Sequence, residues 1–210
     1  MSDLPATLYY IHDPMCSWCW AYRPALLQLR EHLPVGIEWQ NVLGGLAADN
    51  DQPMPEKTRE MIQGHWRKIE SSLGTPFNFD FWTENQPRRD TYKACRAVIA
   101  ASFQQAEEAM IECIQKAYYL RAMNPSDLSV LVELATELGL DRARFEVDLV
   151  SRRVESGLRQ QLRLRDKLKV RSFPSLVFNQ DSTYQLIPHD YQDYSQTLTR
   201  VKDLSYANAK

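Results

Sequence analysis

Thr7-Leu8-Tyr9-Tyr10-Ile11-His12-Asp13-Pro14-Met15-Cys16-Ser17-Trp18-Cys19 decides how this chain folds and what chemistry it carries. Its first five residues have the β-branched and aromatic bias of a strand. The Cys-x-x-Cys pair follows directly, and from Cys19 to Leu33 the chain reads as a helix, with Ala25, Leu26, Leu29 and Leu33 on one stripe. Pro34 and Gly36 end it. A cysteine between a strand and a helix sits where free backbone N–H groups and the helix dipole favour an anion. Thiolate is therefore favoured there over thiol, and thiolate is the attacking species in disulfide exchange. This assigns Cys16 as the nucleophile and Cys19, on the first turn, as the resolving thiol. Trp18 stands between them, either exposed beside the sulfurs as an apolar contact for a peptide substrate or capping the core.

Working outward, Ile37–Leu43 reads as a second strand and Gly44-Gly45 as its turn. Residues 47–55 form a polar linker. A long helical stretch follows to about 169, with candidate helices near 56–72, 89–102, 104–122, 127–138 and 142–169. Ser126 is the expected N-cap before Asp127, Gly139 the C′ residue, and Asp141 the cap of the next helix. Gly74 to Pro87 reads as an irregular aromatic loop. Strand character returns at Ser175–Phe178 and Tyr184–Ile187, separated by the turn-like Asn179-Gln180-Asp181-Ser182, and Tyr191–Leu204 closes the chain as a helix. The order predicts an α/β, thioredoxin-like fold with an all-helical insert after the second strand. Residues 1–50 and 170–210 form the core and 51–169 the insert.

A second signal precedes the third strand. An X-Pro bond entering a strand, here Phe173-Pro174, suits a cis peptide. It would turn the Phe173 backbone towards the Cys16 sulfur, where its N–H and C=O could pair with an extended substrate. Pro24, inside the first helix, fixes a local kink.

Composition narrows the classes. The chain has 210 residues, 44% hydrophobic, with a formal net charge of −2 and no basic field to draw in nucleic acid. No run approaches the ~18 apolar residues of a membrane span. Met1–Pro5 lacks a basic leader region and Thr7–Ile11 is too short for a signal core, so a cytoplasmic location is expected. There, a close cysteine pair reads as redox or metal chemistry rather than a structural bridge. Zinc needs about four ligands, and the sequence has neither a second Cys-x-x-Cys nor a spaced histidine pair. On one continuous helix Cys95 and Cys113 would lie ~27 Å apart; a break near Ser102-Phe103 would remove that objection. Both read as inert core thiols. His12 is a candidate for proton transfer or for tuning Cys16, set against a strand-end histidine with its hydrogen bonds satisfied. Glu38 reads as a solvent-facing carboxylate.

Asp13-Pro14-Met15-Cys16-Ser17-Trp18-Cys19-Trp20 resembles the active-site segment of the DsbA-like thioredoxin family, in its cytosolic disulfide-isomerase branch with FrnE-like proteins. Leu43-Gly44-Gly45-Leu46, Ala94-Cys95-Arg96-Ala97-Val98, the stretch from Ala117-Tyr118-Tyr119 through Gly139-Leu140, and Phe173-Pro174-Ser175 are similar as well. The resemblance implies a thioredoxin core with a helical insert and a thiol–disulfide oxidoreductase or isomerase in which Cys16, Cys19 and Pro174 carry the catalysis. It implies no cofactor beyond the redox-active pair. Protein disulfides or thiols would be the substrates, with glutathione or a thioredoxin-type reductant as partner. Periplasmic oxidants of the family carry an acidic residue six positions before the first cysteine, where this chain has Tyr10. Two competing expectations stand beside this one. One is a glutathione-dependent isomerase or transferase of the kappa and 2-hydroxychromene-2-carboxylate isomerase type, against which the retained Cys19 speaks. The other is a non-catalytic module binding through exposed aromatics at Trp18, Trp20 and Phe77–Trp82.

Overall fold

The computed structural model describes residues 6–207. Met1–Pro5, on which the expectation of no leader rests in part, lie outside the described residues. Four strands form one sheet in the order β2-β1-β3-β4, with β1 Ala6–His12, β2 Ile37–Leu43, β3 Ser175–Gln180 and β4 Thr183–Ile187. β1 pairs with β2 in parallel and with β3 antiparallel, and β3 and β4 form a hairpin. Asn179 and Gln180, expected in the turn, are the last residues of β3. The turn is only Asp181-Ser182, both at positive φ, as a tight two-residue hairpin requires.

β1 is covered on both faces, which is why it reads as an almost unbroken apolar run. Leu8 and Tyr10 face Tyr22, Leu26 and Leu29 of α1 (Ser17–Glu31) and Val201 and Leu204 of α9 (Ser195–Ala207). Ile11 and Tyr9 face the other way, onto Val177, Leu168 and Val170. α1 starts at Ser17, two residues before the expected Cys19, because Cys16 itself is the N-cap residue, with extended backbone. Pro24 lies inside α1 on its exposed face.

Seven helices stand between β2 and β3: α2 Glu56–Leu73, α3 Phe81–Glu84, α4 Tyr92–Ser102, α5 Glu107–Leu120, α6 Leu128–Glu137, α7 Arg142–Leu149 and α8 Arg152–Lys167. The expected Gly74–Pro87 loop holds the one-turn α3. Asp127, not Ser126, is the N-cap residue of α6; the Ser126 hydroxyl instead donates to the Asp90 carbonyl at 2.9 Å. Gly139 follows the α6 C-cap with φ 72°, and the Asp141 side chain caps α7 by accepting from the Arg144 N–H at 3.0 Å. The single helix expected over 142–169 breaks at Val150-Ser151, where the Ser151 hydroxyl accepts from the Val154 N–H at 3.2 Å.

The insert's core is centred on Trp66, which no solvent reaches and which meets Phe77, Phe81, Trp82, Tyr118 and Tyr119. Phe77, Phe81 and Trp82 are therefore buried core residues, not the exposed binding surface expected of a non-catalytic module. Trp20 stacks on Tyr119 with centroids 5.8 Å apart, and Met15, Ala21 and Leu43 share one buried cluster with the insert residues. Among the described residues no helix is long and apolar enough to cross a membrane.

Candidate active site

The strand register brings three loops to one end of the sheet. His12 pairs with Leu43, and Ile11 pairs with Ser175. So the Asp13–Cys16 loop, the Gly44-Gly45 turn and the Phe173-Pro174 entry to β3 all meet there, at the carboxyl ends of the parallel strands. This is where open α/β sheets place their ligands.

Cys16 donates its Sγ hydrogen towards the Phe173 carbonyl oxygen at 3.6 Å, and the Phe173–Pro174 peptide is cis. Pro174 is buried and Phe173 half-buried. Both thiols of the pair are free. Cys16 keeps 6% of its surface open, while Cys19 keeps none. Burial, together with the neighbouring Cys16, pushes the Cys19 thiol well above the usual range. The Tyr10 phenol lies buried against Cys19. Trp18 is half-buried, edge-on to Tyr191 with centroids 5.3 Å apart, and Lys68 reaches over its face.

Two residues that sequence reasoning passed over hold the loops in place. Asp13 is fully buried, and its carboxylate accepts from the Met15 N–H (2.8 Å), the Leu46 N–H (2.7 Å) and the Thr91 hydroxyl (2.6 Å). One side chain thus ties the cysteine loop to the glycine turn and to the start of α4. Burial pushes this carboxyl up, against the opposing pull of those hydrogen bonds. Cys95 lies 3.7 Å from the same carboxylate and is fully buried, and its thiol is raised by burial and by that charge. Cys113 is only half-buried, beside Glu137, and so is not the core thiol expected. The second overlooked residue is Gly44. A Cβ there would stand 2.2 Å from the Phe173 ring, so only glycine lets that ring close over the turn. The signal was present in Gly44-Gly45, but nothing local says which aromatic would cover it.

His12 departs from the expectation of a satisfied strand-end histidine. It is fully buried, stacked on Tyr10 at 4.8 Å, and neither ring nitrogen has a hydrogen-bond partner among the described residues. Burial lowers its pKa to about 4, so the ring is neutral near pH 7. Glu38 is exposed. No group of three or more His, Cys, Asp or Glu residues that could hold a metal occurs among the described residues.

Cys16 fronts a cavity of about 270 Å³ between the core and the insert. Met15, Trp18, Met54 and Ile62 give it apolar walls, and Arg88, Arg89 and Arg171 bring positive charge. No local pattern shows that residues 54–66, 88–91 and 171–173 share one wall, because the insert's folding back alone places them there.

A family model described as thioredoxin matches residues 9–196. Among solved structures, a candidate protein disulfide isomerase from Nitrosomonas europaea is 26% identical with a TM-score of 0.83, covering 98% of this chain and 100% of its own. The cytosolic disulfide reductase DsbM from Pseudomonas aeruginosa is 25% identical with a TM-score of 0.78, covering 95% of this chain and 99% of its own; a second structure of that protein contains GSH. A curated relative, the ClpXP adapter protein SpxH of Halalkalibacterium halodurans, is 28% identical over 184 residues, which are 85% of this chain and 60% of that protein. The chain thus spans about three-fifths of the length of the curated relatives it matches.

Proposed function

We propose that this chain, which belongs to the thioredoxin family, is a thiol–disulfide oxidoreductase in which Cys16 attacks and Cys19 resolves. The observation that carries this reading is the placing of the two sulfurs. Cys16 caps α1, faces the Phe173 carbonyl and opens on the cavity, whereas Cys19 is sealed behind it. The Cys16 thiolate attacks one sulfur of a substrate disulfide. A Cys16–substrate bond forms, and the other substrate sulfur leaves with the electron pair of the broken S–S bond and takes up a proton. Cys19 then loses its proton and attacks the Cys16 sulfur. The Cys16–Cys19 disulfide forms and the second substrate thiol is released, so the substrate gains the two electrons the enzyme loses. A thiol reductant, glutathione or a thioredoxin-type dithiol, returns the pair to its reduced form. Phe173 and Pro174 line the path of an extended substrate, and Trp18 supplies an apolar contact. The likeness to a cytosolic disulfide reductase supports reduction in the cytoplasm as the working direction.

Insulin reduction and scrambled-ribonuclease refolding test this. Cys16→Ser should lose at least a hundredfold in turnover. Cys19→Ser should accumulate a mixed disulfide on Cys16, visible by mass spectrometry. Equal turnover by Cys16→Ser and the native protein would sink the reading.

A second reading, a binding module that presents a protein partner, is favoured by the adapter name of the curated relatives. It predicts that a Cys16→Ser/Cys19→Ser double variant keeps its partner with unchanged affinity.

A further inference from the structure

The chain carries a formal net charge of −2, yet the surroundings of its exposed active-site sulfur are positive. Among the described residues Asp90 is the one carboxylate that lines the cavity beside Cys16. It is fully buried, and the Lys93 ammonium stands 3.0 Å from its Oδ2, so its charge is cancelled inside the protein. Arg88, on the same wall, is cancelled in turn by Asp127. Two guanidinium groups remain. Arg89 is half-buried and Arg171 exposed, and neither is in an ion pair or hydrogen bond among the described residues. A third cation, the exposed Lys68, reaches over the Trp18 ring with its ammonium 6.0 Å from the centroid and is in no ion pair among the described residues either. The three come from α2, from the segment before α4 and from the segment before β3. Elsewhere Arg23, Arg96 and Arg121 each sit against a carboxylate. The walls add a second requirement. Met15, Met54 and Met61 line the cavity with Trp18 and Ile62. Flexible thioethers accommodate apolar side chains of varied shape. A wholly polar anion would leave these walls unused, and a basic segment would be repelled by the arginines.

We propose that the cavity selects disulfides held in acidic protein segments: an apolar side chain near the substrate cysteine seats among the methionines, and flanking Asp or Glu residues face Lys68, Arg89 and Arg171. The inference rests on the exchange reading above and deepens it by naming the substrate class and the residues that choose it. Arg171 stands two residues before Phe173, whose carbonyl faces Cys16. A carboxylate close to the substrate cysteine therefore meets it as the segment docks. The three cations are specificity residues and take no part in bond-making at sulfur. A cleft lined by one sign of charge raises the encounter rate of an oppositely charged partner by about 10–10³, and the effect falls with ionic strength.

Three peptide disulfides test this. Each is a homodimer of one short peptide with a leucine beside its cysteine, and the flanks are Asp, Asn or Lys. Reduced protein is mixed with each, and oxidation of the cysteine pair is followed by tryptophan fluorescence, since Trp18 lies between the two cysteines. Every rate is divided by that of dithiothreitol on the same peptide, which removes differences in the disulfide's own reactivity. At ~0.01 M ionic strength, where the screening length is about 30 Å, Asp should exceed Asn and Asn exceed Lys, with about tenfold between the extremes. At 1 M, where that length is about 3 Å, the extremes should converge to within about threefold. The double variant Arg89→Gln/Arg171→Gln should cut the low-salt preference by about threefold or more. Should it fail to fold, Arg171→Glu, at an exposed position, takes its place and should shrink the preference as far. Equal rates for Asp and Lys, a preference indifferent to salt, or one undiminished in the folded variant would each overturn the selection. Glutathione disulfide, anionic but without an apolar side chain, should react more slowly than the Asp peptide. A faster rate would place a small anion, not a protein segment, in the cavity and overturn the proposal. Its failure is separable from that of the exchange reading. Native protein that reduces all three peptides alike through Cys16 loses only the selection. A preference that persists with full turnover in Cys16→Ser removes only the exchange mechanism. Should no peptide be reduced, the exchange reading falls, and binding of the S-methylated Asp and Lys peptides, which cannot exchange, decides the selection by itself.

Discussion

His12 is a base held where it cannot easily carry charge. Its folded pKa of about 4 lies below the ~6.5 of an unfolded histidine, so between those values the unfolded chain binds the proton and the folded one does not. Stability from this group is therefore complete above about pH 6.5 and falls as pH drops towards 4. Between pH 7 and pH 5 the loss is about 2 kcal/mol. Urea unfolding at the two pH values should show that slope, and His12→Leu should flatten it by about that amount; an equal slope in both proteins would contradict the burial argument. Gly44 makes a different demand. In Gly44→Ala the new methyl group meets the Phe173 ring at 2.2 Å, and the ring, half-buried, has to swing away. We expect a cost of about 1–3 kcal/mol in stability and a larger loss of disulfide turnover than of stability, because the displaced residue carries the carbonyl opposite Cys16. Phe173→Ala in the Gly44→Ala background should restore stability without restoring turnover.

Among the elements, the break between α7 and α8 shows how a short cap redirects a chain. The stretch 142–169 is rich in helix formers, yet Ser151 takes extended backbone and satisfies the Val154 N–H. The break turns α8 so that Val154 and Leu158 enter the insert core, while Leu168 and Val170 reach the sheet face. Ser151→Ala removes the cap and should cost about 1 kcal/mol, measured by chemical denaturation, with faster hydrogen exchange at the first turn of α8. At α1 the N-cap position is taken by Cys16, and its side chain makes no capping bond. The sulfur is left facing Phe173 and the cavity.

For the molecule as a whole, Trp66 is the pivot of the insert. It contacts six other rings, from the aromatic loop and from α5, and its indole N–H has no hydrogen-bond partner among the described residues. Trp66→Ala should cost about 3–5 kcal/mol. Because Trp66 also lines the cavity, the change should weaken turnover as well as lower the melting temperature. Trp66→Phe keeps most of the packing without the unsatisfied N–H and should be the milder variant by both measures.

The strand, the Cys-x-x-Cys pair, the helix behind it and the proline before β3 were legible because each is a local pattern: alternation, spacing, or a residue with one permitted backbone habit. The fold order followed from those patterns, and so did the position of Cys16 at a helix N-terminus. Boundaries went astray where a tertiary bond competes with a local signal. Ser126 is drawn off to Asp90, and α4 begins only at Tyr92, after the Thr91 hydroxyl has bonded Asp13. Burial was decided by the fold alone. Nothing in the sequence around His12, Asp13 or Asp90 says that all three lose contact with water, or that Cys113 does not. The cysteine pair and its place at the start of α1 were thus determined by the sequence, since they need only neighbours along the chain. The cavity in front of it was decided by the tertiary structure, since its walls come from segments whose meeting depends on how the insert packs back onto the sheet.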